Sequence, residues 1–156
     1  MKRTLITTWI VAATLFGVAG VVKAVQPAKT SNNAKPFVHI STSPDELDLG
    51  SAAGPGFYNV PKALTVNVES NCVHGPITIS ATKLRRRLGG GEITPDRIFV
   101  RTYGTGGFVP MERPVVISQP KAGSHKIVLD VQVLTGFRDR AGGYKGAFTV
   151  TVMPPV

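Results

Sequence analysis

The sequence predicts an all-β fold, a single antiparallel β-sandwich of about seven to eight short strands, on three observations. Apolar residues recur with a period of two from Pro36 onward, glycine- and proline-rich segments separate the alternating runs, and no window of a dozen residues keeps a helical stripe. Parallel strands buried on both faces would read as continuous apolar runs. Alternation with one polar side instead marks antiparallel sheets wetted on one face.

The strands can be justified in order. Residues 37–41 open the series. A short run over residues 46–49 follows, in which Asp45, Glu46 and Asp48 interleave with Leu47 and Leu49. A calcium loop would set oxygen ligands on alternate positions around a glycine turn, so this pattern reads as a strand edge with its polar side out. Over residues 62–69, Leu64, Val66 and Val68 share one face and Thr65, Asn67 and Glu69 the other. Residues 76–81 set Ile77 and Ile79 against Thr78 and Ser80, and shorter candidates lie over residues 97–103 and 114–118. Residues 126–133 carry Ile127, Leu129, Val131 and Val133 against Asp130 and Gln132, and residues 147–153 carry Phe148, Val150 and Val152 against Thr149 and Thr151. The inner faces Leu64, Val66, Val68, Ile77, Ile79, Ile127, Leu129, Val131, Phe148, Val150 and Val152 are expected to share one core. Gly54-Pro55-Gly56, Gly75-Pro76, Gly89-Gly90-Gly91, Gly104-Thr105-Gly106-Gly107 and Gly142-Gly143 read as turns. Residues 82–88, the best helical candidate, are too few and run straight into three glycines.

Three segments are expected along the chain: a signal over residues 1–24, a polar tether over 25–36, and the sandwich over 37–156. Lys2 and Arg3 precede an apolar run over residues 5–22, and Val22-Lys23-Ala24 offers the small-residue exit that a signal peptidase accepts. The expected location is secreted, periplasmic or at the cell surface. An uncleaved segment of this length would instead leave the chain anchored in a membrane, its bulk outside. Cleavage removes Lys2, Arg3 and Lys23, leaving 15 cations against 9 acids, a formal +6 from the full chain's +9. With Cys72 as its single cysteine the chain cannot be a disulfide framework, and Cys72 reads as a small buried hydrophobe.

The closing stretch Asp139-Arg140-Ala141-Gly142-Gly143-Tyr144-Lys145-Gly146, followed by the threonine–valine alternation, resembles the last segment of secreted bacterial immunoglobulin-like and pilin-like sandwich domains. That resemblance implies an immunoglobulin-like topology and an extracytoplasmic setting. It also implies a tyrosine whose ring caps the open end of the sandwich while its hydroxyl reaches a backbone group. The chain departs from the antibody pattern, since Trp9 lies in the signal and Cys72 has no partner, and it lacks the paired cysteines of many pilins.

Catalytic signatures are missing from the sequence. His39, His74 and His125 stand singly, without the spacing of metal ligands, and neither a nucleophile elbow nor HExxH nor a phosphate loop occurs. No enzyme activity, metal or cofactor is expected. Two sets of residues remain as candidates for binding. Lys83, Arg85, Arg86 and Arg87, ahead of three glycines, suggest a mobile positive lobe that could meet a membrane surface, a polyanionic wall polymer or an acidic glycan. The same run could simply be a solvated segment that keeps a strand edge from pairing. Nucleic acid is not expected, because export removes the usual partner and no aromatic interleaves the cations. The loop aromatics Phe57, Tyr58, Tyr103 and Phe108 form the second set. Gathered at one end they would favour glycan binding; dispersed over both sheets they would favour a structural role.

Two functions follow as expectations. The first is a non-enzymatic structural or interaction module of the cell envelope or surface, of assembly or adhesion type, working through a protein partner or through self-assembly. The alternative is a ligand-binding module for a glycan or anionic polymer, using the basic lobe and the aromatics. The signal reading predicts that protein recovered outside the cytoplasm begins at Val25. Intact mass will test this, and retention of residues 1–24 would establish the anchored form instead.

Overall fold

The computed structural model describes residues 35–44, 49 and 51–153. The signal, the tether apart from Lys35 and Pro36, and the acidic residues Asp45, Glu46 and Asp48 lie outside the described residues. The body is all-β, and every strand pair in it is antiparallel. Five strands form the largest sheet, in the order β1 (Val38–Ser43), β3 (Gly56–Ser70), β10 (His125–Thr135), β7 (Ile98–Thr102) and β8 (Val109–Pro110). The second sheet runs β2 (Ser51–Ala52), β11 (Gly142–Lys145), β5 (Leu84–Arg86), β6 (Glu92–Ile93), and the third runs β12 (Phe148–Val152), β4 (Ile77–Ala81), β9 (Val115–Ser118). None of the described residues forms a helix long and apolar enough to cross a membrane.

The alternation dictates the long strands. On β3 and β10 the apolar sets meet in register, with Ile127 opposite Val66 and Leu129 opposite Leu64. The pairing then shifts, so that Val131 stands opposite Val60 and the stretch Pro61, Lys62, Ala63 faces Asp130 alone. This is a β-bulge, and the sequence supplies its parts. Pro61 has no N–H to lend a ladder, and Lys62 adopts φ +51°, the left-handed region that side chains rarely enter. The excess on β3 is two residues, so parity survives and Val60, Leu64, Val66 and Val68 all turn to the same side.

One cluster of buried side chains takes in residues of all three sheets. Eight of the expected core residues, from Leu64 to Val131, are at most 6% exposed. Phe148, Val150 and Val152 are only half-buried, because β12 ends its sheet, yet they pack against the same cluster. Leu84, Ile93, Ile98, Val100 and Met111 complete the core. The strand series differs from expectation by addition: among the described residues there are twelve strands, four of them only two or three residues long. Gly142-Gly143, expected as a turn, is strand β11, and the expected loop residues Phe57 and Tyr58 lie inside β3.

A charged clasp closes one end. Arg97, at the end of a 3-10 turn (Pro95–Arg97), donates from Nε and Nη2 to the Leu134 carbonyl at 3.1 and 2.9 Å and pairs with Asp139. Asp139 also accepts the Gly136 N–H at 2.6 Å, so it ties β7 and β10 to the turn leading into β11. The hydrogen bond from Arg97 holds the Asp139 carboxyl below the usual aspartate range, helped by the Gly136 N–H and the Arg97 charge and opposed by burial.

Two outcomes are expected. Leu129 is fully buried, and Leu129→Ala should cost about 2–5 kcal/mol in denaturant unfolding through lost transfer energy and a cavity. A neutral result would place Leu129 outside the core. For Asp139, a lowered native pKa means stabilisation that is complete above the unfolded value of about 3.9 and fades as pH falls through the native one. Asp139→Asn should therefore melt below wild type at neutral pH, and the two melting temperatures should converge in strong acid.

Candidate functional site

Strand alternation sorts the basic segment into two faces. Leu84 is buried, and Arg86, two residues on, turns toward the chain rather than the solvent. Its Nε donates to the Ala141 carbonyl at 3.1 Å and its Nη1 to the Gly89 carbonyl at 3.2 Å, so it locks the hairpin between β5 and β6 against β11. Lys83 and Arg85 lie on the other face, where both reach Glu92, at 2.8 and 3.3 Å. Lys145, opposite Arg85 on β11, and Arg87 are both exposed beside them. The lobe expected to be mobile is thus strand-paired, with Leu84 opposite Ile93 and Tyr144 opposite Arg86. Gly146 lies tight against this strand. A Cβ there would come within 2.6 Å of Leu84 Cδ2 and 3.2 Å of the Lys83 carbonyl oxygen.

Glu92 keeps its charge. The Lys83 hydrogen bond holds its carboxyl below the ordinary glutamate range, opposed by desolvation and helped by the charges of Lys83 and Arg85. The row Lys83, Arg85, Arg87 and Lys145 therefore carries four positive charges against one negative. Of the four cations in the expected set, Arg86 alone is withdrawn from it.

The four aromatics separate in the same way. Tyr58 turns inward. Its hydroxyl accepts the N–H groups of Ala53 and Gly54 at 3.0 Å each and donates to the Gly54 carbonyl at 2.9 Å, while its ring lines a small apolar pocket with Leu84, Ile93 and Tyr144. Tyr144 closes that pocket and donates its hydroxyl to the Arg140 carbonyl at 2.7 Å. Phe57, on the same strand as Tyr58, turns outward and packs edge-on against Phe99 with centroids 6.2 Å apart, while Tyr103 and Phe108 lie, as expected, in the loop that joins β7 to β8.

Between them the outer face is polar and fixed. Gln132 stands opposite both Asn59 and Phe99, and its Nε2 donates to Asn59 Oδ1 at 2.6 Å. Asp130, only 2% exposed, accepts the Lys62 N–H on Oδ1 and Arg101 Nε on Oδ2, each at 2.8 Å. The Arg101 guanidinium sits 4.5 Å from the centre of the Phe108 ring, and Lys62 Nζ 4.7 Å from that of Tyr103, both within cation–π range. A cavity of about 130 Å³ lies here, lined by Asn59, Val60, Pro61, Arg101, Phe108, Asp130 and Val131.

The histidines depart from expectation. His39 is exposed on β1, but His74 and His125 come together, with ring centroids 5.4 Å apart and planes 19° from parallel. Their Nδ1 atoms lie 2.6 and 3.1 Å from the carbonyls of Gly75 and Gly123. A carbonyl can only accept, so each Nδ1 is the donor in these contacts. Both Nε2 atoms are buried without a partner among the described residues. Neither residue had a sequence signal beyond its neighbouring glycine turn; the pairing of β10 with β3 and the hydrogen bond from the His74 N–H to the Lys121 carbonyl bring them together. No group of three or more His, Cys, Asp or Glu side chains suited to a metal occurs among the described residues. Cys72 is half-buried rather than buried, its Sγ 3.6 Å from the Phe37 carbonyl.

No protein-family model matches the chain, and no curated protein matches it.

Proposed function

We propose that this chain is an exported, non-enzymatic interaction module of the cell envelope or surface, an immunoglobulin-like sandwich that binds an anionic polymer such as an acidic glycan. The observation that carries the reading is the row Lys83, Arg85, Arg87 and Lys145, held on and beside the two inner strands β5 and β11 of their sheet, with Glu92 offsetting one of its four charges. A polymer with regularly repeated charge meets such a row at several points at once, and each contact is weak, exposed and screened. Export is supported by the n-region, apolar run and small-residue exit of residues 1–24. The assembly-type alternative has its own support: β1 and β12 each end a sheet, and among the described residues each pairs along one side alone. Light scattering separates the two, because assembly gives a concentration-dependent ladder of masses and polymer binding a monomer.

Binding to dextran sulfate and to polygalacturonate should weaken steeply as sodium chloride is raised, since charges separated by more than about 8 Å lose contact at physiological salt. The double variant Arg85→Ser, Arg87→Ser should lose about ten-fold or more in affinity, the equivalent of about 1.4 kcal/mol. Its melting temperature should hardly move, since solvated substitutions shift stability by about 0.5 kcal/mol or less. Glu92→Gln should bind more tightly than wild type. A double variant that binds as wild type does would overturn the reading.

A further inference from the structure

We propose that the pocket beside Arg101 is a second, more selective site on the five-stranded sheet, built to take the carboxylate of a sugar acid. The ligand class deepens the acidic-glycan reading above, while the residues are on a different sheet.

The first observation is how Arg101 is held. Its Nε is committed to Asp130 Oδ2 and one flank of the guanidinium lies at the Phe108 ring. Asp130 itself is fixed by the backbone of Lys62, so the guanidinium is restrained along one edge by a carboxylate that cannot move away. Its two Nη groups make no hydrogen bond to a described residue, and the side chain is 37% exposed. A guanidinium so oriented presents two parallel N–H donors that match the two oxygens of a carboxylate, and little side-chain freedom is lost when they are used. Arg101 and Lys62 against Asp130 leave the patch with one positive charge to be neutralised.

The second observation is what lies next to it. A cavity of about 130 Å³ lies beside it, sufficient for a carboxylate and its neighbouring carbon. The rest of such a ligand must lie over the sheet. There, Asn59 has committed its Oδ1 to Gln132 and retains its NH₂ donors, while Gln132 retains its carbonyl oxygen. Donor and acceptor side by side suit hydroxyl groups, which do both. Beyond them Phe57, 60% exposed and braced by Phe99, offers a flat apolar surface to the C–H face of a ring. Carboxylate fork, amide pair and aromatic plate therefore follow one another across neighbouring strands whose backbone does not need to rearrange. An acidic peptide would use the fork and the amide pair but lays no sugar-ring C–H face on the plate.

Titration of the protein with methyl glucuronide, followed by NMR at the Arg101 Nε–H and Asn59 side-chain amide signals, tests the assignment. Saturable shifts are expected, with methyl glucoside, acetate and a glutamate-containing tripeptide each at least about ten-fold weaker. Arg101→Lys keeps a cation beside Asp130 but loses the planar pair of donors, and should weaken glucuronide by about ten-fold or more, as loss of one charge-assisted hydrogen bond implies. Asn59→Leu, which leaves the ion pair intact, should weaken it as well and serves if the Arg101 variant does not fold. The Arg85→Ser, Arg87→Ser variant should titrate with glucuronide as wild type does, so a failure of the cationic row and a failure of this pocket read out separately. The proposal is overturned if glucuronide gives no saturable shift, if acetate or the tripeptide matches it, or if Asn59→Leu binds undiminished.

Discussion

The carboxylate of Asp130 fixes how the two longest strands lie against each other. Burying a charge is costly unless it is paired and hydrogen-bonded, and Asp130 has both kinds of partner: the Lys62 N–H on one oxygen and the Arg101 guanidinium on the other. That arrangement exists only because β3 bulges at Pro61–Ala63, and the bulge is in turn held open by the carboxylate that fills it. Everything on either side inherits this register. The core residues of β3 stay on one face through it, Arg101 is drawn over Phe108, and Lys62 is left to reach Tyr103. A structural ion pair thereby becomes the foundation of an exposed polar face.

Charge is distributed by the same logic elsewhere. Arg97 and Arg86 are consumed in holding the chain together, one through Asp139 and the Leu134 carbonyl, the other through the carbonyls of Ala141 and Gly89. Lys83, Arg85, Arg87 and Lys145 are not, and their excess over Glu92 faces solvent on strands that also carry buried Leu84. The basic character of the protein is therefore divided between clasps, which need burial and fixed geometry, and a row that needs neither.

Much of this was legible beforehand, and the limits were physical. Long alternating runs such as residues 126–133 announce themselves because each apolar residue repeats the same instruction. Two- and three-residue strands carry no period at all: β5 exists because Arg86 meets Tyr144, nearly sixty residues away in the chain. Phe57 and Tyr58 were hidden from a period-based reading by Pro61 and Lys62, whose bulge interrupts the pattern that otherwise runs through β3. Gly142-Gly143 looked like a turn for a sound reason, since Gly142 does adopt φ +136°, but it does so inside a strand. The four cations in the basic run looked equivalent, although Leu84 between Lys83 and Arg85 already hinted at two faces. The meeting of His74 with His125 had no local signal.

Gly146 extends this coupling in a direction of its own. In the sequence it reads as an ordinary connector between two strands. Its hydrogen faces Leu84 and the Lys83 carbonyl so closely that even alanine would have to displace one of them. Leu84 is a core residue, and Lys83 begins the cationic row. A side chain at this connector would thus be felt in the core through Leu84 and in the cationic row through Lys83.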